Sequence, residues 1–300
     1  MGKKANCQAG VFVAYASARG YTLLDRRLYL PEKWFGADYA ARLEACGVPK
    51  EIAFATKPAL GWEMLQDVVQ AGTLPFRWVI CDEGFGNNPT LLDQIASLDR
   101  WYFAEVPHTT HVWQERPATA VPPWSGRGPK PQHVRLLPAA PHARTVLALA
   151  EELPADAWRR HTIQEGSQGP QVADFAFMRV VALRGALPGP DVWLVLRRSL
   201  VDGEIKTYLS NAPADLPHTH LVRLSGLRWP IELCFQVGKQ ELGMGDYEVR
   251  SWRGWHHHMT LVLLARAFLV RLQTRLKKSP CLDLAPGTLS GGPFDPTYHL

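Results

Sequence analysis

The chain has little of what marks several large protein classes. Its 300 residues include five cysteines, Cys7, Cys46, Cys81, Cys234 and Cys281, which are scattered and form no C-x-x-C pair. An odd, dispersed set argues against zinc-finger and disulfide frameworks and suits a reducing cytoplasm. No long apolar run follows the N-terminal Met-Gly-Lys-Lys-Ala-Asn-Cys, so no secretory signal is read there. The longest apolar stretch, 260–272, is broken by Arg266 and is too short to span a bilayer, which predicts a buried helix and no membrane partner. No G-x-x-x-x-G-K-[ST] run occurs, and no serine or cysteine has a convincing histidine and acid arrangement near it. Nucleotide hydrolysis and acyl transfer are therefore unsupported. No internal repeat is visible.

Acids are missing from one stretch altogether. From Arg116 to Arg144 there are five basic residues and no acid, and from Arg223 to Lys278 ten Lys/Arg stand against four acids. The formal net charge is only +5, so the distribution says more than the sum. Two basic segments in a balanced chain point to a polyanionic partner, because neutralised phosphates release counterions. Charge alone fits solubility equally well. With 46% hydrophobic and 20% charged residues, the chain is long enough for one large globular domain or one domain carrying a sizeable insertion.

Periodicity and turn residues predict a hairpin over 10–30, turning at 17–20 and stopped by Pro31. Helical patterns follow at 34–46 and 59–71. The short run at 76–81 then predicts a strand buried on both faces, ending in Asp82-Glu83-Gly84. A helix at 89–97 and a strand at 101–106 complete an α/β order that implies a mixed sheet with helices packed on it. From 107 to 216 the texture changes to a β-rich insertion. Its first part is a basic, Pro-rich loop, and strands are expected at 173–183, 191–198 and 206–211. Helices resume at 217–226, 230–242 and 255–278, and the Pro- and Gly-rich tail from 279 to 300 reads as disordered.

Two places carry chemistry. The run from Arg228 to Lys239 has the spacing R-x3-E-x6-K, with Pro230 suited to the first turn of a helix. On that helix Glu232, Gln236 and Lys239 share one polar face, with Ile231, Cys234, Phe235, Gly238 and Leu242 behind it. An ordinary solvated helix face would look the same. Asp82 stands where a buried strand runs into a glycine-containing turn, where α/β sheets tend to present functional groups. A turn former or helix N-cap is the plain alternative. Taken together, two carboxylates with cations nearby suit a pair of Mg2+ or Mn2+ ions about 3.5–4 Å apart, acting on a phosphodiester. Arg228 and Lys239 would then grip the DNA backbone. Trp252, beside Arg250 and Arg253, could stack on an unpaired base or pack in the core, as could Trp255. The consecutive His256, His257 and His258 point three ways on a helix and are not read as a metal site.

These stretches resemble a known family, the bacterial insertion-sequence transposases of the DDE superfamily, in the branch marked by a Y-R-E-K signature. The resemblance runs from about residue 5 to 276 and is carried by Asn6–Tyr15, Asp25–Pro31, Thr56-Lys57-Pro58, Asp82–Gly86, Ser210–Asp215, Arg228–Glu232 and Tyr247–Trp255. It implies a ribonuclease-H-like core, with 5–106 as its first part, 107–216 as the β-rich insertion and 217–278 as the helices that carry the glutamate. It also implies transposition: metal-dependent DNA cleavage and strand transfer at the ends of a mobile element. Partners would be element-end and target DNA, with a homodimer in the synaptic complex, in the cytoplasm and at the nucleoid. On this resemblance Asp82 is the second catalytic aspartate and Glu232 the catalytic glutamate, both holding metal. Arg228, Lys239, Arg250, Trp252 and Arg253 would contact DNA.

Two departures follow. The signature's tyrosine is Ser225 here. The family's first catalytic aspartate lies on a strand before the hairpin, and the chain begins just after the place where that strand should end. Asp25 is the only acid in the hairpin, and it sits in a stretch resembling a structural strand. The expectation is a transposase truncated at its N-terminus, inactive or impaired as an enzyme. The alternatives are a non-catalytic DNA-binding or dimerising regulator and a stand-alone ribonuclease-H-like nuclease.

Overall fold

In the computed structural model, which describes residues 8–17, 20–165, 169–276 and 297–299, the hairpin forms as expected: β1 (Ala9–Ser17) pairs antiparallel with β2 (Gly20–Tyr29). Val11 and Val13 are buried, then Ala14 and Ala16, because a bulge between Val13 and Ala14 shifts the alternation by one residue. Two short 3-10 turns lead into α1 (Ala40–Ala45) and then α2 (Lys57–Ala71). Thr56 caps α2 by accepting from the Ala59 N–H at 3.3 Å, so this helix starts two residues before the expected position. It stops at Gly72, whose φ of 62° is left-handed. All four residues of β3 (Trp78–Cys81) are buried, as a strand covered on both faces requires.

The chain continues through α3 (Glu83–Gly86), α4 (Pro89–Ser97), β4 (Trp101–Glu105), β5 (His111–Trp113), β6 (Thr119–Ala120), β7 (Arg135–Leu136) and β8 (Arg144–Thr145). Then come α5 (Val146–Glu151), β9 (Arg159–Gln164), β10 (Gln171–Arg184), β11 (Leu187–Arg198), β12 (Ile205–Ser210) and α6 (His218–Leu224). The last elements are α7 (Trp229–Glu241), α8 (Trp252–Leu276) and β13 (Thr297–His299).

These elements form two compact units, and the class is mixed α/β. One unit is Met1–Ile80 with Gly226–Leu300, and the other is Cys81–Ser225. Their seams lie at the end of β3 and after α6, whereas the sequence reading places its segment boundaries at 106/107 and 216/217. In the first unit β13 lies between β1 and β3, antiparallel to β1 and parallel to β3. Within the tail that the sequence reads as disordered, Thr297–His299 finds two strand edges to pair with. The rest of 279–300 lies outside the described residues. The same unit packs α7 and α8 on the hairpin around Ala14, Leu23, Cys234, Met244, Trp255 and Met259.

The second unit is an antiparallel sheet in the order β4-β12-β11-β10-β5-β8, with β9 also on β10. The three strands expected in the β-rich segment are β10, β11 and β12. They extend from β4, which pairs with β12 through Phe103↔Ser210 and Ala104↔Leu209, so that segment shares a sheet with what precedes it.

Candidate active site

Asp82 follows the buried end of β3 directly. Burial pushes the neighbouring Cys81 thiol far up its titration range, and the negative charge of Asp82 pushes it further. The extended backbone of Asp82 (φ −73°, ψ 176°) turns its carboxylate back over α3, where Oδ1 accepts from the Phe85 N–H at 3.2 Å. Its carbonyl accepts from the Gly86 N–H at 2.7 Å. Asp82 is therefore an N-cap, the plain role that its position allowed. Capping occupies one carboxylate oxygen; Oδ2 has no hydrogen-bond partner among the described residues, and a carboxylate accepts at about four sites. Gly86 fixes the turn by close approach: a Cβ there would stand 2.0 Å from the Glu105 carbonyl oxygen. Glu83, next to Asp82, is exposed.

Glu232 sits on α7, whose orientation is set by its opposite face. Cys234 and Gly238 are buried, the Phe235 ring meets Phe12 edge-on at 5.1 Å, and Gly238 lies against Met244. That packing leaves Glu232, Gln236 and Lys239 exposed together, the polar face read from the sequence. Pro230 lies in the first turn, as expected. Arg228, at the entrance, reaches along the face so that its Nε stands 3.3 Å from Glu232 Oε1. Ser225, in place of the signature tyrosine, is buried, and its hydroxyl donates to the Val222 carbonyl at 2.7 Å.

Asp25 is fully engaged as a structural acid. One oxygen accepts from Arg26 Nη1 at 3.0 Å and the other from Arg27 Nη1 at 2.5 Å, while Arg27 also reaches Asp67. Arg250 and Arg253 are exposed beside the start of α8. Trp252 is half-buried; its backbone N–H donates to the Cys46 carbonyl at 2.8 Å and its ring lies 4.2 Å from that of His256. These two rings line a cavity of about 490 Å³ together with Arg26, Arg27, Phe35 and Phe54. Sequence reasoning missed this cavity, for which the paired arginines of β2 are the available signal. Trp255 is a core residue, 2% exposed. His256 bonds to the Trp252 carbonyl and His258 to the Gly243 carbonyl, so the histidines diverge.

A family model described as a DDE superfamily endonuclease matches residues 1–170. The chain belongs to the DDE superfamily endonuclease family. In this DDE endonuclease the matched region contains Asp82 and ends before α7, so the part played by Glu232 rests on the spacing and chemistry of α7. No curated protein matches the chain. Among the described residues no three His, Cys, Asp or Glu side chains gather as a metal site, and no helix is long and apolar enough to cross a membrane.

Proposed function

We propose that this DDE endonuclease acts as a transposase of the Y-R-E-K branch on a ribonuclease-H-like core, cutting and joining DNA at the ends of a mobile element. Asp82 and Glu232 are the metal-holding carboxylates. Family membership carries the reading, and the partly open carboxylate of Asp82 at the end of a buried strand supports its placement.

Mg2+ or Mn2+ suits these residues in kind, because hard cations take carboxylate oxygens. In number they are two, where the resemblance implies a third. When bound, such ions neutralise charge that develops on a phosphodiester. The residues themselves do the positioning. Asp82 is held by its own cap, and Lys239 presents a cation on the same face as Glu232. Arg250 and Arg253, both exposed, add cations for the DNA backbone, with Trp252 as a ring for an unpaired base.

If Asp82 and Glu232 act without a third carboxylate, cleavage is slow. The test is excision from a plasmid carrying the element's ends, with Mg2+ or Mn2+. Slow, metal-dependent nicking lost in both Asp82→Asn and Glu232→Gln is expected, and efficient excision sinks the claim of impairment. Binding of element ends without any nicking would favour the regulator reading. Cutting of generic DNA or RNA would favour a stand-alone nuclease.

A further inference from the structure

The acid-free stretch from Arg116 to Arg144 takes no part in the chemistry proposed for Asp82 and Glu232, yet it is built as an arm. Its two end arginines are tied down: Arg116 Nη2 donates to Asp191 Oδ2 at 2.9 Å, and Arg144 grips both carboxylate oxygens of Glu152. Between them β6 and β7 form a ribbon two residues long, with Thr119 opposite Leu136 and Ala120 opposite Arg135. Pro122, Pro123, Pro129 and Pro131 stiffen the segment that the ribbon carries.

At the tip Arg127 stands between Gly126 (φ 84°) and Gly128 (φ 73°), both with open space around them. Trp124 Nε1 donates to the Gly128 carbonyl at 3.1 Å and closes the tip, while its side chain stays 53% exposed. Arg127, Lys130 and Arg135 are exposed and make no ion pair among the described residues. The cations at the ends of the arm thus anchor it, and those along its length are left for something else.

We propose that this arm, from Trp124 to Arg135, binds duplex DNA, seating Arg127 in the minor groove with Lys130 and Arg135 on flanking phosphates. A cation between two residues without Cβ atoms is narrow enough for a groove about 6 Å wide. Narrow A·T-rich grooves carry the enhanced negative potential that attracts arginine. The proposal rests on the reading of the chain as a DNA-cutting enzyme but not on Asp82 or Glu232.

The test compares the full chain with R127A/K130A/R135A and with R127A alone, on A·T-rich and G·C-rich duplexes, by fluorescence anisotropy. Each phosphate contact contributes about 0.9 to the slope of log K against log salt, so between roughly 50 and 200 mM salt the triple variant, which loses two such contacts, should show a slope shallower by about 2. R127A alone should lose the preference for A·T. Melting temperatures should be unchanged, since the three side chains are exposed and make no ion pair among the described residues. Wild-type affinity and slope in the triple variant overturn the arm, as does failure of the unaltered chain to bind duplex DNA. A chain that binds through the arm but never cuts overturns only the cleavage reading. One that cuts while the triple variant binds normally overturns only the arm.

Discussion

Arg228 and Glu232 are paired with each other, Nε to Oε1 at 3.3 Å, one turn apart on the outward face of α7. Their side chains are 49% and 63% exposed, so the pair contributes no more than about 0.5 kcal/mol. The helix is held by its buried Cys234 and Gly238 side instead. Arg228→Ala and Glu232→Gln should therefore each leave the melting temperature within about 2 °C of the parent. Their effects on DNA should differ. Glu232→Gln should reduce metal-dependent nicking by at least about 100-fold, whereas Arg228→Ala should mainly weaken binding and flatten its salt dependence. Large thermal shifts in both variants would mean that the pair is structural.

The cap made by Asp82 and the metal-holding role proposed for it are separable. Its side chain caps α3 through the Phe85 N–H, and asparagine caps about as well as aspartate, while alanine loses about 1 kcal/mol. Urea denaturation should find Asp82→Asn close to the parent in stability and Asp82→Ala weaker by about that amount. Both should fail to nick DNA, because neither retains the negative charge. Parent-level nicking by Asp82→Asn would reduce this residue to a cap.

Gly86 holds the turn against β4. An alanine Cβ would meet the Glu105 carbonyl oxygen at 2.0 Å and the Ala104 side chain at 3.1 Å, both on a buried strand. Neither can yield without moving backbone, so Gly86→Ala should cost at least about 2 kcal/mol. At Gly84 the corresponding atom meets only Asp82 Oδ1 at 3.3 Å, and Gly84→Ala should be milder. Thermal melts of the two variants side by side check the ranking.

The elements that sequence predicts well here are those with a strong period or clear punctuation. The hairpin reads as two strand-like runs around a turn, α2 has Pro58 at its start and Gly72 at its end, and the polar face of α7 follows from helical spacing alone. What escapes is short or set from afar. β5 and β8 are three and two residues long and show no period. β9, Arg-Arg-His-Thr-Ile-Gln, is polar along most of its length and becomes a strand because β10 offers it an edge. At the site, carboxylate and cation spacing marks Asp82 and Glu232 as candidates. That Arg228 turns to Glu232, and that Asp25 is spent on Arg26 and Arg27, depends on side-chain directions that spacing does not encode.

The strand at the far end of the chain shows the same dependence on tertiary context and can be tested directly. Thr297–His299 runs antiparallel to β1, with Ala14 opposite His299 and Ala16 opposite Thr297, and parallel to β3, with Thr297 opposite Trp78 and His299 opposite Ile80. Among the described residues β1 and β3 do not pair with each other, so these three residues are their backbone link. Deleting 297–300 would leave both inner edges unpaired. At about 1 kcal/mol net per hydrogen bond, a few such bonds lost should lower stability by about 2–4 kcal/mol. Hydrogen exchange should quicken at Ala14–Ala16 and at Trp78–Ile80, and the bared edges should make the protein associate as concentration rises. Unchanged exchange at those amides would show that β1 and β3 hold their places without the strand between them.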